Sequence, residues 1–146
     1  MILEDEASTA DIGAELASRL RAGDVITLSG PLGVGKTALA RAVLKAAGHF
    51  GEVPSPTFAI VQPYDDLPLP ISHCDLYRLE DPSELAQLGL DDALHDGALL
   101  VEWPERAGAA AWPQALRLSL GFAPNGARSL TWVVPPAWEG RWPPAA

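Results

Sequence analysis

Two observations predict an α/β fold for this chain of 146 residues. The first is the motif G-x-x-x-x-G-K-[ST] at residues 30–37, which is the pattern of a phosphate-binding loop. The second is its setting, because the apolar, β-branched residues 25–28 precede the motif and the helix-favouring residues 38–47 follow it. A strand, a glycine loop and a helix in this order indicate that the motif works as a phosphate loop.

The residue types in this loop suit the phosphates of a nucleotide. Its glycines let successive backbone N–H groups point into one concavity, and the new helix adds its positive N-terminal end. The Lys36 ammonium can reach the terminal phosphates, and the Thr37 hydroxyl can ligate Mg²⁺. We therefore assign nucleotide binding to Gly33, Val34, Gly35, Lys36, Thr37 and Ala38.

The composition is that of an ordinary globular protein, with 48% hydrophobic and 20% charged residues. The length predicts one domain, residues 1–135, followed by a loose tail rich in Pro and Trp at 136–146. The net charge of −9 argues against a protein that grips nucleic acid through its phosphates. An acidic body with one cationic loop fits a nucleotide-binding protein better.

Two compositional features predict a cytoplasmic protein. Cys74 is the only cysteine, which excludes an internal disulfide and a metal cluster of thiolates. No apolar run approaches the length of a membrane span, and the acidic N-terminus is wrong for a signal peptide.

Three elements are predicted before residue 62. Ser8 or Thr9 caps a first helix, whose apolar stripe recurs every four residues and which stops at Gly23. The second helix, after the loop, ends at Gly48. The prolines of residues 54–57 force an extended segment, and residues 58–61 read as a strand.

The remaining elements follow from short apolar runs and turn signals. Strands are expected at residues 71–77 and 98–101, after a proline-bounded turn at 63–70. Helices are expected from Asp81 and at residues 90–94. Two further strands, at 116–120 and 129–134, are joined by a turn at Asn125-Gly126.

A phosphate loop needs a second carboxylate beside Mg²⁺, usually at the end of a buried strand. Glu102 follows four apolar residues, and Asp75 ends a more polar strand. One can serve the metal while the other orients or activates water. Thr57, after the rigid Ser55-Pro56 lead, is a candidate sensor of the terminal phosphate, and His73 is expected to pack and hydrogen-bond beside Asp75.

Several nucleotide-binding classes are excluded by missing motifs. The chain has neither N-K-x-D nor D-x-x-G, so guanine recognition of the usual GTPase kind is missing, and it is too short for a motor with a helical lid. A small-molecule kinase would need arginines in a lid, for which Arg78 and Arg106 are the candidates near the site.

Four motifs together resemble one family. They are the loop itself, S-P-T-F at residues 55–58, H-x-D-L-Y-R-L at 73–79 and E-W-P at 102–104. In this order and spacing the chain resembles the bacterial TsaE (YjeE) proteins, small P-loop ATPases of the pathway that makes threonylcarbamoyladenosine in tRNA. The resemblance runs from about Glu6 to Pro104.

The resemblance implies a P-loop NTPase three-layer fold, with a mixed, mainly parallel sheet between helices. It implies ATP as the nucleotide, Mg²⁺ between Thr37 and Glu102, and Asp75 as a residue needed for hydrolysis. Glu6 and Thr9 would lie at the edge of the nucleotide. The implied partners are the TsaD and TsaB subunits, which would hold the tRNA, so this chain would meet tRNA only indirectly.

One residue departs from the family pattern. Family members more often carry an acidic residue where this chain has Pro31, and proline removes one N–H from the outer edge of the loop. Two other functions stay open from the sequence: a P-loop small-molecule kinase, and a nucleotide-dependent interaction protein that does not hydrolyse ATP.

Overall fold

A computed structural model of the chain describes residues 1–53, 60–108 and 110–144. Its strands are β1 (Ile2–Leu3), β2 (Val25–Ser29), β3 (Val61–Tyr64), β4 (Ile71–Asp75), β5 (Ala98–Glu102), β6 (Leu116–Phe122) and β7 (Arg128–Val133). The α-helices in these ranges are α1 (Glu6–Arg19), α2 (Lys36–Ala47) and α3 (Leu90–Asp96). Short 3₁₀ helices lie at Pro82–Leu88, Pro104–Ala107, Pro124–Gly126 and Pro136–Trp138.

The strands in the described ranges form one seven-stranded sheet in the order β1-β7-β6-β2-β5-β4-β3. Its centre is parallel, because β2 pairs in parallel with β5 and β6, and β4 pairs in parallel with β5. The edges are antiparallel, with β7 on β6, β1 on β7, and β3 on β4. The sheet is therefore mixed and mainly parallel, which confirms the predicted fold class.

Helices cover both faces of the sheet. On one face α1 and α2 bury Leu16 and Leu39 against Ile26 of β2. On the other face Leu90 of α3 packs in a second apolar cluster with Leu99 of β5. All five residues of β5 are buried, as expected for a strand with a layer on each side.

The first helix begins earlier than predicted. Asp5, and neither Ser8 nor Thr9, caps α1, since its Oδ1 accepts the Ser8 N–H at 2.9 Å. Thr9 therefore lies inside the helix, where its hydroxyl donates to the Asp5 carbonyl oxygen at 3.5 Å. The helix ends at Arg19, well before Gly23. An Asp cap competes well with Ser and Thr, so the sequence offered several equivalent starts.

The strand after the loop helix also lies further along the chain than predicted. The strand is β3 at Val61–Tyr64, and it includes Pro63, which the sequence analysis placed in a turn. Proline is tolerated there because β3 lies at the edge of the described sheet. On the outer side of an edge strand no neighbouring strand needs a backbone N–H donor. Residues 58 and 59 of the predicted strand lie outside the described residues.

The helical pattern from Asp81 forms a 3₁₀ helix at Pro82–Leu88, capped by the Asp81 side chain, and α3 follows it. The predicted hairpin near the end of the chain is confirmed. Asn125 and Gly126 both have positive φ, at 60° and 77°, between β6 and β7. None of the helices in the described ranges is long and apolar enough to cross a bilayer.

Tryptophans within residues 136–144 are packed in the core, whereas a loose tail was expected for 136–146. Trp138 is fully buried and Trp142 is 3% exposed, both in the cluster under α1 and α2. Arg141 lies over the Trp138 ring and forms an ion pair with Asp24. The prolines and tryptophans of this segment are visible in the sequence, while the burial of Trp138 and Trp142 depends on tertiary contacts. The domain boundary at residue 135 stays a prediction.

Trp138→Ala is expected to lower the free energy of unfolding by about 3–5 kcal/mol, the usual cost of removing a buried aromatic side chain. Phe50→Ala is the matched control, since the Phe50 side chain is 88% exposed. Urea unfolding of both variants measures the difference. Equal stability of the two variants would show that this segment does not contribute to the core.

Candidate functional site

The glycine loop connects β2 to α2 at the carboxyl ends of the parallel strands. Gly30 has φ 146°, and a Cβ atom there would lie 2.5 Å from the Leu120 carbonyl oxygen. Gly35, which precedes α2, has φ 111°. Neither position accepts a side chain without strain. The glycines therefore fix a loop that ends at the N-terminus of a twelve-residue helix, where backbone N–H groups favour an anion.

The Lys36 side chain is folded back against this loop and is only 5% exposed. Its Nζ donates to the carbonyl oxygens of Gly30 and, at 3.1 Å, of Pro31. The same Nζ lies 3.9 Å from the centroid of the Trp103 ring, a cation–π contact. Burial lowers the pKa of Lys36, and the carboxylates of Glu102, Glu105 and Asp75 oppose this shift. The ammonium is thus held in one place at the mouth of the loop.

The structure brings Thr37 and Glu102, two of the predicted site residues, together beside the lysine. The Thr37 hydroxyl lies 2.8 Å from Glu102 Oε1 and 3.1 Å from Oε2. Glu102 ends β5 and is 2% exposed, so the carboxylate is almost fully desolvated. A hydroxyl and a carboxylate are hard oxygen donors of the kind that Mg²⁺ prefers.

No group of three or more His, Cys, Asp or Glu side chains in residues 1–53, 60–108 and 110–144 is arranged to hold a metal ion. Mg²⁺ keeps several waters and is usually bound by one or two carboxylates together with substrate phosphates. The donor pair of Thr37 and Glu102 therefore suits a magnesium ion that arrives with a nucleotide.

His73 is buried and hydrogen-bonded in β4, as expected from the sequence, and its hydrogen-bond partner is Glu102. Its Nε2 lies 2.6 Å from Glu102 Oε2, and its ring is fully buried. In the parallel pairing of β4 with β5, His73 stands opposite Leu100 and Asp75 opposite Glu102. The Glu102 side chain reaches back along the strand to His73, while Asp75 turns towards the backbone of Tyr77.

Asp75 is half-buried and lies on the same edge of the sheet as Glu102. Its Oδ1 accepts the Tyr77 N–H at 3.0 Å, and Oδ2 has no partner within the described part of the chain. Burial raises the pKa of Asp75, the Tyr77 N–H opposes the shift, and the Glu102 carboxylate adds to it. One oxygen is therefore fixed and the other is available to a water molecule.

A cavity of about 230 Å³ lies on the other side of the loop. Glu6 and Thr9 of α1 line it together with Val34, Gly35 and Ala38, so the structure brings these predicted residues to one place. Gly33 belongs to the loop, at φ 80°, but does not line the cavity.

Sequence reasoning missed Arg128 and the role of Trp103. Arg128, on β7, donates from Nε to the Val34 carbonyl at 2.8 Å and lines the same cavity. A single arginine in a strand more than ninety residues from the loop carries no local signal. Trp103 has φ 58° directly before Pro104, a strained backbone of the kind found at functional sites. Its E-W-P context was the available signal.

Thr57 lies outside the described residues, together with the rest of the S-P-T-F motif. Its suggested role as a sensor of the terminal phosphate therefore stays a prediction.

Comparison with known proteins gives consistent results. The family model for threonylcarbamoyl adenosine biosynthesis protein TsaE matches residues 3–129. The chain is 40% identical over 105 residues to TsaE of Rickettsia bellii, covering 71% of this chain and 73% of that protein. It is 47% identical over 88 residues to TsaE of Bacillus subtilis, covering 60% of this chain and 54% of that protein.

Among solved structures, the crystal structure of YdiB from Bacillus subtilis superposes with a TM-score of 0.79 at 29% sequence identity. The match covers 97% of this chain and 88% of that one. The shared fold and the matching sequences agree with the geometry of the glycine loop. The chain belongs to the TsaE family of tRNA threonylcarbamoyladenosine biosynthesis and has a P-loop NTPase-like fold.

Proposed function

We propose that this protein is a Mg²⁺-dependent ATPase that binds the threonylcarbamoyl-transferase complex and supports the formation of threonylcarbamoyladenosine in tRNA. The observation that carries the proposal is the meeting of Lys36, Thr37 and Glu102 at the end of one glycine loop. Family membership indicates the pathway. The arrangement of these three side chains supports the binding of phosphates and Mg²⁺.

The loop would bind the β- and γ-phosphates of ATP through its backbone N–H groups and Lys36. Thr37 and Glu102 would hold Mg²⁺, which supplies positive charge to the phosphate oxygens. Glu6 and Thr9 would contact the nucleoside part, since they line the cavity on the far side of the loop. Close contacts and a positive φ at Gly30 fix part of the loop backbone before the phosphates bind.

Asp75 is better placed than Glu102 to orient the attacking water. Both oxygens of Glu102 are already engaged by Thr37 and His73. Asp75 keeps one oxygen without a partner in the described ranges, at the open edge of the site. Its raised pKa also makes its carboxylate a better proton acceptor than an exposed aspartate. Thr57 is a further candidate for the same step.

TsaD and TsaB are the proposed partners, and ATP hydrolysis would reset their complex between turnovers. The net charge of −9 supports a role in which these subunits hold the tRNA, because a strongly acidic surface repels a polyphosphate backbone.

Glu102→Gln is expected to reduce the gain in ATP affinity that Mg²⁺ provides by about 10-fold or more. The amide keeps the size of the side chain but loses the negative charge. Glu139→Gln is the control, since Glu139 is an exposed carboxylate that does not line the site. Calorimetric titration with ATP, in Mg²⁺ and in EDTA, measures the effect. If Mg²⁺ raises the ATP affinity of Glu102→Gln as much as that of the wild type, Glu102 is not part of the metal site.

Reconstitution tests the proposed function as a whole. Threonylcarbamoyladenosine in tRNA is counted after incubation with TsaD, TsaB, the threonylcarbamoyl donor and ATP, with and without this protein. We expect sustained product formation only when the protein is present and able to hydrolyse ATP. Equal yields without it would contradict the proposal.

A further inference from the structure

His73 is a buried polar residue for which the proposed hydrolysis has no direct use. It lies in the middle of β4 with no solvent exposure, and it cannot touch a nucleotide. Its one polar contact among the described residues is with Glu102, at 2.6 Å between Nε2 and Oε2. A fully buried imidazole with such a short bond to a buried carboxylate points to a role exerted through that carboxylate.

The two ring nitrogens of His73 are in different situations. Nε2 faces the Glu102 carboxylate, whereas Nδ1 is buried without a hydrogen-bond partner in the described ranges. A buried N–H without an acceptor is costly, so the ring proton belongs on Nε2, where it is donated to Glu102. His73 therefore acts as a single, directed hydrogen-bond donor.

This donor holds Oε2 of Glu102. The Thr37 hydroxyl lies 2.8 Å from Oε1 and 3.1 Å from Oε2, so Oε1 is its nearer oxygen. The terminal torsion of a glutamate is broad, so an unrestrained carboxylate would rotate and exchange its two oxygens. With Oε2 held by His73, Oε1 faces the Thr37 hydroxyl at 2.8 Å.

We propose that His73 is a positioning residue, which fixes the Glu102 carboxylate so that Oε1 is presented together with Thr37 to the magnesium ion. This inference rests on the proposed Mg²⁺ site. Outer partners of this kind typically change metal affinity by about 10-fold to 100-fold when removed.

Two substitutions separate the hydrogen bond from simple packing. His73→Gln places an amide N–H near the position of Nε2, whereas the shorter amide of His73→Asn does not reach Glu102. The measurement is calorimetric binding of ADP in Mg²⁺ and in EDTA, with thermal unfolding as the test of folding. We expect the increase in ADP affinity that Mg²⁺ produces to be about 10-fold smaller in His73→Asn than in the wild type. His73→Gln should keep most of this increase.

The outcomes distinguish the two proposals. If the wild type binds ADP equally well in Mg²⁺ and in EDTA, the proposed metal site is overturned, and the role of His73 with it. If Mg²⁺ raises the ADP affinity of the wild type, and both variants retain this increase or lose it equally, only the positioning role of His73 is overturned.

The ring itself gives a readout that does not depend on metal or on stable variants. Long-range ¹H–¹⁵N correlation of the wild-type imidazole is expected to show the proton on Nε2 and none on Nδ1. A proton on Nδ1 would overturn the inference even if neither variant folds.

Discussion

Replacing Lys36 by alanine is expected to weaken ATP binding by at least about 100-fold and to abolish turnover. The ammonium is the one charge that the loop itself supplies to the phosphates, and hydrogen bonds to charged groups each contribute about 1.5–3 kcal/mol. It is already held at the loop by two carbonyl oxygens and by the Trp103 ring.

The chain provides a matched control for this substitution. Lys45 is its only other lysine and lies exposed near the end of the same helix. Lys45→Ala should bind and hydrolyse ATP like the wild type in calorimetry and phosphate release. Circular dichroism checks that the Lys36→Ala protein keeps the helix content of the wild type. ATP affinity within a few-fold of wild type in a folded Lys36→Ala protein would contradict the assignment of the loop.

The second large effect is expected from Asp75→Asn, which should preserve ATP binding and lower hydrolysis by about 100-fold or more. The amide keeps an oxygen for the Tyr77 N–H but cannot accept a proton from water. Asp65→Asn, in the exposed turn after β3, is the control. ATP binding and single-turnover phosphate release are measured separately, so that a loss of binding is not mistaken for a loss of chemistry.

Retained hydrolysis in Asp75→Asn would give Asp75 a structural role only. If the variant binds ATP, does not hydrolyse it and still supports modification of tRNA, the protein is a nucleotide-dependent interaction protein. The substitution therefore separates the proposed ATPase from the alternative that the sequence left open.

The same substitution has an expected effect on stability. Burial raises the pKa of Asp75, which means that folding disfavours its ionised form. The ionised carboxylate therefore destabilises the fold at neutral pH, and this cost disappears as the pH falls through the raised pKa to the ordinary range of an aspartate. Asp75→Asn should be more stable than the wild type at pH 7, by a small amount because the carboxylate is only half-buried and solvent screens its charge.

Urea unfolding at neutral and acidic pH measures this difference. We expect the gain in stability of Asp75→Asn to shrink as the pH is lowered. A gain that grows on acidification would mean that the folded protein favours the carboxylate, contrary to its burial.

The central part of the fold was predictable because its signals are local. The β2 strand, the glycine loop and α2 are adjacent in the chain, and each has a distinct residue pattern. Glu102 was predictable as well, because a strand buried on both faces is a continuous apolar run and its end is easy to locate.

The parts that were not predictable depend on contacts between distant segments. Arg128 reaches the loop from β7, and Trp138 is buried by packing under α1 and α2. A buried, hydrogen-bonded His73 was expected, but its partner was not named, since the register of β4 on β5 is what brings it to Glu102. Neither strand pairing nor tertiary burial can be deduced from one strand's sequence.

Phosphate release from Mg-ATP, by the protein alone and with TsaB and TsaD, tests the central claim most directly. The account predicts slow release alone, faster release with both partners, and no release above background from Lys36→Ala in either case. No release from the wild type under any of these conditions, or release that Lys36→Ala retains, would contradict it.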